Sequence, residues 1–372
     1  MSTLGNFTRD LTWTRLHMPR LQRVINAWSD MRGIRLACSM HIGIKAVPLV
    51  EGLLKNSAEV FIITCNPTTV QDEVVCYLRQ QGAEVEAQRD MSVTAYEQAI
   101  NQALDWKPTH LCEMGADLTF ALHQRTHSIP KVLAGLEATG SGINRLQTIE
   151  LRYPVCNWDD LPIKEGLHNR HLVGLVTWHT FFERTRLTLH GKRVLVIGYG
   201  SVGRGVADAA RAYGGTVCVS EHDPARALEA QYAGWEVRAL IEALPLADVI
   251  VTATGAQHVI QAAHFSHLVN GAFLINVGYR SDEIDVPALL HYSHEEMVPF
   301  VEAIRLDSKR TVYLFASGSM ANLTAGEGDS LNSFDLTLSV MAAGISHIVR
   351  AGAYEAPGVH LLPRKVWELV IS

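Results

Sequence analysis

The run VLVIGYGSVGRGVADAARAYGGTVCVSE, residues 194–221, constrains this chain more than any other stretch. Four apolar residues, Val194 to Ile197, suit a buried strand. Gly198, Gly200 and Gly203 follow in the spacing G-x-G-x-x-G, with Val202 just before the third, and a helix-forming run comes next. The first glycine permits a tight turn, the second lets a pyrophosphate approach the backbone, and the third lets helix and strand pack closely. The free N–H groups and positive dipole end of the helix then face the phosphates. A second apolar run ends at Glu221, 18 residues after Gly203, where a carboxylate accepts hydrogen bonds from an adenosine ribose. That acid disfavours a 2′-phosphate, so the expected cofactor is NAD rather than NADP, and Arg226 is the nearby cation that a phosphate could use. Glycines at this spacing also serve plain strand-to-helix turns. Strand, helix, second strand and acid in order favour the dinucleotide.

The unit lies past the middle of 372 residues, a length beyond one ordinary hydrophobic core. In front of it, IRLACSM, KAVPLVEGLLKN, EVFIITC and TTVQDEVVCYLRQQG alternate strand and helix patterns, as a parallel sheet covered on both faces requires. Residues 152–169, RYPVCNWDDLPIKEGLHN, break the periodicity and read as a crossing loop between two domains. Behind them LVGLVTWHTFFERTR predicts a helix, ADVIVTATG and GAFLINVG predict strands, and NSFDLTLSVMAAGISHIVRAG predicts a helix that returns to the first domain. The expected fold is α/β in two domains, residues 1–170 with 331–372 forming one and 171–330 the other.

Composition excludes several classes of partner. The formal charge is −6 and the 32 basic residues are scattered, so neither nucleic acid nor an anionic membrane is expected. No apolar run reaches membrane-spanning length and the first residues show no signal core, so a cytoplasmic protein is expected. The six cysteines form no C-x-x-C pair and the 17 histidines no H-E-x-x-H, so no metal site is expected.

GYGSVGRG and SEHDPARALEAQYAGWEV resemble the cofactor domain of S-adenosyl-L-homocysteine hydrolases, in which the substrate domain comes first. WTRLHMPRL, CSMHIGIKAVPLVEGLL, TCNPTTVQD, GADLT, VTATGAQHVI, INVGYRSDEIDV, ASGSMANL and GVHLLPRK match in family order along almost the whole chain. The resemblance implies a Rossmann-type NAD-binding domain inserted into an α/β substrate domain, a small-molecule substrate and a homo-oligomer, dimer or tetramer. It also implies a cycle in which a ribose hydroxyl is oxidised, a thiol eliminated, water added and the ketone reduced. Oxidation comes first because a carbanion beside a carbonyl is delocalised as an enolate.

The resemblance assigns roles position by position. Lys164 matches the lysine that assists hydride abstraction, Asn169 an asparagine beside the nicotinamide, and His41 an acid/base histidine near the leaving group. Asn66, Thr69 and Asp72 match substrate-domain positions, and Thr139, Ser141, Thr254, Asn276, Gly278 and Asn322 match cofactor contacts. Other positions depart. Met114 and Ala138 stand where the family has a ribose-facing aspartate and glutamate, His168 where it has an aspartate, and Tyr279 and Asp329 where it has histidines. Lys45 replaces an adenine-facing glutamate and Gly43 a nearby threonine. His168 is a candidate proton acceptor in place of the lost carboxylate, its ordinary pKa suiting neutral pH. Lys45 is a candidate partner for an acidic group, and Asp159, Glu137 and Asp329 are candidate replacement carboxylates. Losing the acceptor of a buried hydroxyl costs roughly 1–3 kcal/mol. The expectation is therefore NAD chemistry kept on a different substrate; the alternatives are an authentic S-adenosylhomocysteine hydrolase and a silent NAD-binding regulator.

Overall fold

The computed structural model describes residues 3–351 and 355–371. The chain folds into two compact units, one of Met1–Lys164 and Leu331–Ser372, the other of Glu165–Ser330. In chain order the first unit holds strands β1 (Arg35–Met40), β2 (Glu59–Thr64), β3 (Glu84–Glu86), β4 (His110–Glu113), β5 (Ala134–Glu137) and β6 (Pro154–Asn157). The second holds β7 (Arg193–Ile197), β8 (Thr216–Ser220), β9 (Glu236–Val237), β10 (Val249–Thr252), β11 (Phe273–Asn276), β12 (Ser293–Val298), β13 (Val301–Arg305) and β14 (Thr311–Phe315). β15 (Gly358–Leu361) then rejoins the first sheet beside β6.

The first sheet is parallel throughout, in the order β15-β6-β5-β4-β1-β2-β3. β1, β2, β4 and β5 are buried almost throughout because helices cover both faces, and two buried clusters fill the two sides. The helix Leu331–Arg350 belongs to this unit; Gly344 lies so close to Leu136 of β5 that a Cβ there would stand 2.9 Å from its Cδ1. Chain order reverses between β1 and β4, and at such a switch point the carboxyl ends of the strands leave a crevice.

The second sheet runs β12-β13-β14-β11-β10-β7-β8-β9, with its switch point between β7 and β10. β13 pairs antiparallel to both β12 and β14, an edge that the alternation of helix and strand does not announce. Every residue of β12, SHEEMV, is exposed, so no burial pattern marks it in the sequence.

The stretch 152–169 is not the loop that its prolines suggest. Pro154–Asn157 is a buried strand, and Lys164–Leu172 winds as a π-helix. Val155 and Cys156 bury well between β5 and β15, which explains the strand. The π turn has no apolar stripe to signal a helical period. Insertions of this kind recur at functional sites.

Candidate active site

The carboxyl end of the first sheet carries one polar row. Ser39, Glu113 and Glu137 are register partners across β1, β4 and β5, and Asn157 of β6 is the partner of Glu137. Both glutamates are turned into the loops that follow them. Glu113 accepts from the backbone of Leu118 (2.7 Å) and Thr119 (3.1 Å) and from the Thr119 hydroxyl. One oxygen of Glu137 accepts from Gly115 N (2.9 Å), Thr139 N (2.9 Å) and the Thr139 hydroxyl (2.7 Å), while Oε2 is buried with no hydrogen-bond partner. Burial pushes Glu113 up to about 7, and burial together with the charge of Glu113 pushes Glu137 up to about 8.

Met114 and Ala138 follow these glutamates directly. Met114 packs partly against the core and Ala138 is buried in it. The neighbouring carboxylates therefore hold the loops together, and Glu137, a candidate replacement carboxylate from sequence, is committed to Thr139 and Gly115. Thr139 is the N-cap of the helix Gly140–Leu146, accepting from Gly142 N at 3.0 Å and from the Ser141 hydroxyl at 3.3 Å.

On the other side of the switch point, His41 follows β1 and its Nδ1 lies 2.8 Å from the Thr69 hydroxyl. That hydroxyl donates its own hydrogen to Asn66 O at 2.8 Å, so Nδ1 is the imidazole nitrogen that carries a proton and Nε2 is the basic one. The Asn66 side chain accepts from Thr68 N (3.0 Å) and shapes this turn. Asp72 accepts from Arg89 N at 2.9 Å, and the Lys45 ammonium stands 5.2 Å from the Phe334 ring. Lys164 lies 5.8 Å from the Trp158 ring.

In the second unit the dinucleotide turn has the geometry its glycines imply. Gly198 has φ +95°, and a Cβ there would stand 2.7 Å from Ala253 O. A Cβ on Gly203 would stand 1.9 Å from Gly198 O, so only glycine lets the helix Ser201–Ala212 lie on the turn. A Cβ on Gly200 would meet only the Arg226 guanidinium, at 3.8 Å, which leaves this backbone open to a phosphate. Glu221 directly follows β8 and accepts from Tyr199 N (2.6 Å), His222 N (2.7 Å) and Asp223 N (2.9 Å), which fixes its carboxylate at the carboxyl edge of the sheet. Such a cradle fits NAD. Val202 packs partly against the core behind the turn.

The remaining cofactor candidates gather at the ends of β10 and β11. Thr254 donates through N (3.0 Å) and hydroxyl (2.8 Å) to the buried Glu283, whose carboxyl is raised by burial. Asn276 accepts from Gly278 N (2.8 Å) and donates to Arg280 O (2.6 Å) and Gly318 O (3.0 Å). Asn322 is 3% exposed and its Oδ1 has no hydrogen-bond partner. Sequence reasoning missed Glu283; an acid between Asp282 and the apolar Ile284 was its only signal.

The π-helix is fastened to the cofactor helix. A Cβ on Gly205 would stand 2.2 Å from Arg170 O, Arg170 pairs with Asp208 at 2.5 Å, and Ser201 donates to Glu165 at 2.9 Å. This anchoring positions the segment carrying Asn169 and His168. His168 Nε2 lies 3.0 Å from Asp329 Oδ2, and both side chains are almost fully buried. The two departures thus face each other: histidine stands where the resembled family has aspartate, and aspartate where it has histidine. Sequence considered each singly; the structure brings them together.

Two family models match the chain, S-adenosyl-L-homocysteine hydrolase over residues 5–153 and S-adenosyl-L-homocysteine hydrolase, NAD binding domain, over residues 180–328. The adenosylhomocysteinase of Aeropyrum pernix is 35% identical over 380 residues, covering 100% of this chain and 91% of that protein. That of Thermococcus kodakarensis is 33% identical over 372 residues, covering 97% and 88%. The S-inosyl-L-homocysteine hydrolase of Methanopyrus kandleri is 32% identical over 367 residues, covering 96% and 87%.

Proposed function

The chain belongs to the S-adenosyl-L-homocysteine hydrolase family and carries its NAD-binding domain, and we propose that it applies the family's chemistry to a hydroxylated substrate other than S-adenosylhomocysteine. NAD bound there would supply reversible hydride transfer to and from a substrate carbinol. In this reading Lys164 accepts the hydroxyl proton, and His41 serves the leaving or adding group through Nε2. His168, polarised by Asp329, takes the place of the family's aspartate. Asn169, Thr139, Ser141, Thr254, Asn276, Gly278 and Asn322 hold the cofactor with Gly198, Gly200, Val202, Gly203 and Glu221. Asn66, Thr69, Asp72 and Lys45 hold the substrate. The enzyme is read as a cytoplasmic homo-oligomer; among the described residues no helix is long and apolar enough to cross a membrane.

One observation carries the change of substrate. Met114 and Ala138 bring no acceptor for vicinal ribose hydroxyls, and beside them Glu113 and one oxygen of the buried Glu137 are taken up by backbone N–H groups. Each missing acceptor costs roughly 1–3 kcal/mol, so two together weaken a ribose by up to several powers of ten. Lys45 adds a donor where the family has an acceptor, which favours an acidic group on the substrate.

A second reading, hydrolysis of a 6-oxopurine thioether such as S-inosylhomocysteine, draws on the same Lys45. An ammonium can donate to a ring carbonyl as it cannot to adenine's amino group, and S-inosyl-L-homocysteine hydrolases are among the relatives. Adding S-adenosylhomocysteine, S-inosylhomocysteine and a series of hydroxy acids in turn to NAD-loaded protein, and reading NADH absorbance, separates the readings. The first requires reduction by a hydroxy acid alone. Reduction by the inosyl compound alone transfers the assignment to the second.

A further inference from the structure

Away from the switch points, three side chains from distant parts of the sequence converge on one edge of the first unit. Cys156 lies on β6, His347 in the last turn of the helix Leu331–Arg350, and Glu355 just before β15. One ligand atom from each, thiol, imidazole nitrogen and carboxylate oxygen, lies within 4.8 Å of the other two. We propose that Cys156, His347 and Glu355 bind a zinc-like divalent cation that fastens the segment before β15 to β6 and to the end of that helix.

His347 and Glu355 make a long hydrogen bond whose spacing also suits coordination. Zinc bonds to nitrogen and oxygen of about 2.0–2.2 Å, held at a tetrahedral angle, place the two ligand atoms about 3.4 Å apart. His347 Nε2 and Glu355 Oε1 stand 3.4 Å apart. The usual N–H···O range ends near about 3.2 Å. Glu355 also has a second oxygen, Oε2, that is buried with no hydrogen-bond partner among the described residues, as a carboxylate awaiting a cation would.

The donor set suits a borderline metal. A thiolate and an imidazole select zinc-like ions over calcium or magnesium, and one carboxylate with one thiolate neutralises a divalent charge in a half-buried place. Without a cation, burial and the charge of Glu355 push the Cys156 thiol up to about 12. Metal binding displaces that thiol proton to solvent and forms the metal–sulfur bond, with no change of oxidation state. The negative end of a 20-residue helix adds to the attraction. His347 also lines a groove of about 700 Å³, which gives water, as the fourth ligand, a route to the metal. Sequence spacing shows no metal pattern because the three ligands are contiguous only in the fold.

The test uses the full chain, treated with a chelator and titrated with Co²⁺ and then Zn²⁺. The expected result is uptake of about one equivalent of Co²⁺, a thiolate-to-cobalt charge-transfer band, and loss of that band as Zn²⁺ replaces it. Cys156→Ser should remove the band, whereas Cys76→Ser, at an exposed thiol, should keep it. Glu355→Gln, which leaves the sheet untouched, should weaken Co²⁺ binding roughly 10-fold or more while the far-ultraviolet circular dichroism stays unchanged. A wild-type protein without the band, a band that survives Cys156→Ser, or unchanged affinity in Glu355→Gln overturns the proposal.

Discussion

At the scale of single residues, two buried pairs do different work. His168 and Asp329 form one buried contact at 3.0 Å, at two positions where the resemblance implies aspartate and histidine the other way round. His168→Asp alone sets two carboxylates against each other, and Asp329→His alone sets two imidazoles together. Each single change is expected to cost about 1–3 kcal/mol of stability, and the double exchange H168D/D329H should recover most of it. Chemical denaturation of the four proteins reads this coupling, and additive losses would refute it. The second pair is Glu113 with Glu137, raised by burial from 4.5 to about 7 and about 8. A carboxyl raised on folding binds its proton more tightly in the folded chain. Its contribution is complete below the unfolded value of 4.5 and is lost as pH climbs through 7 and 8. Within that window each group removes about 1.4 kcal/mol per pH unit. Glu137→Gln, which keeps an oxygen acceptor and cannot ionise, should flatten the fall of unfolding free energy between about pH 6 and about pH 8 relative to wild type. Equal slopes would mean that Glu137 is not protonated in the folded chain.

At the scale of elements, the glycines of the dinucleotide turn separate folding from binding. Gly203 faces Gly198 O so closely that Gly203→Ala must push the helix Ser201–Ala212 off β7, with a loss of about 1–3 kcal/mol or more. Gly200 meets nothing nearer than Arg226 at 3.8 Å, so Gly200→Ala should melt like wild type and lose NAD affinity. Calorimetric NAD titrations beside thermal melts test the contrast; equal melting losses in both variants would count against it. This turn was legible in sequence because it is a backbone constraint: close approaches and positive φ admit glycine and little else. The buried parallel strands were legible for a similar reason, since burial on both faces leaves apolar runs such as LAC and VFII. β12 was not, because its six residues are exposed, and neither was the π-helix, whose polar residues carry no helical period.

At the scale of the whole molecule, one doubly wound plan recurs in both units, and each sets its candidate residues where strand order reverses. In the second unit the glycine turn and its following acid could be read from sequence, because that part of a nucleotide cradle is local to neighbouring strands, a turn and a helix. In the first unit sequence named residues but not their arrangement. That Glu113 and Glu137 turn inward, and that His168 meets Asp329, depends on register and on segments far apart in the chain. We propose that this protein keeps the family's NAD cradle and has lost its grip on ribose. This is tested most directly by thiol release from S-adenosylhomocysteine, measured side by side for the wild-type protein and M114D/A138E, both loaded with NAD. No release above background is expected from wild type, and measurable release once the two carboxylates are restored. Rapid release from wild type that the double substitution does not increase would contradict it.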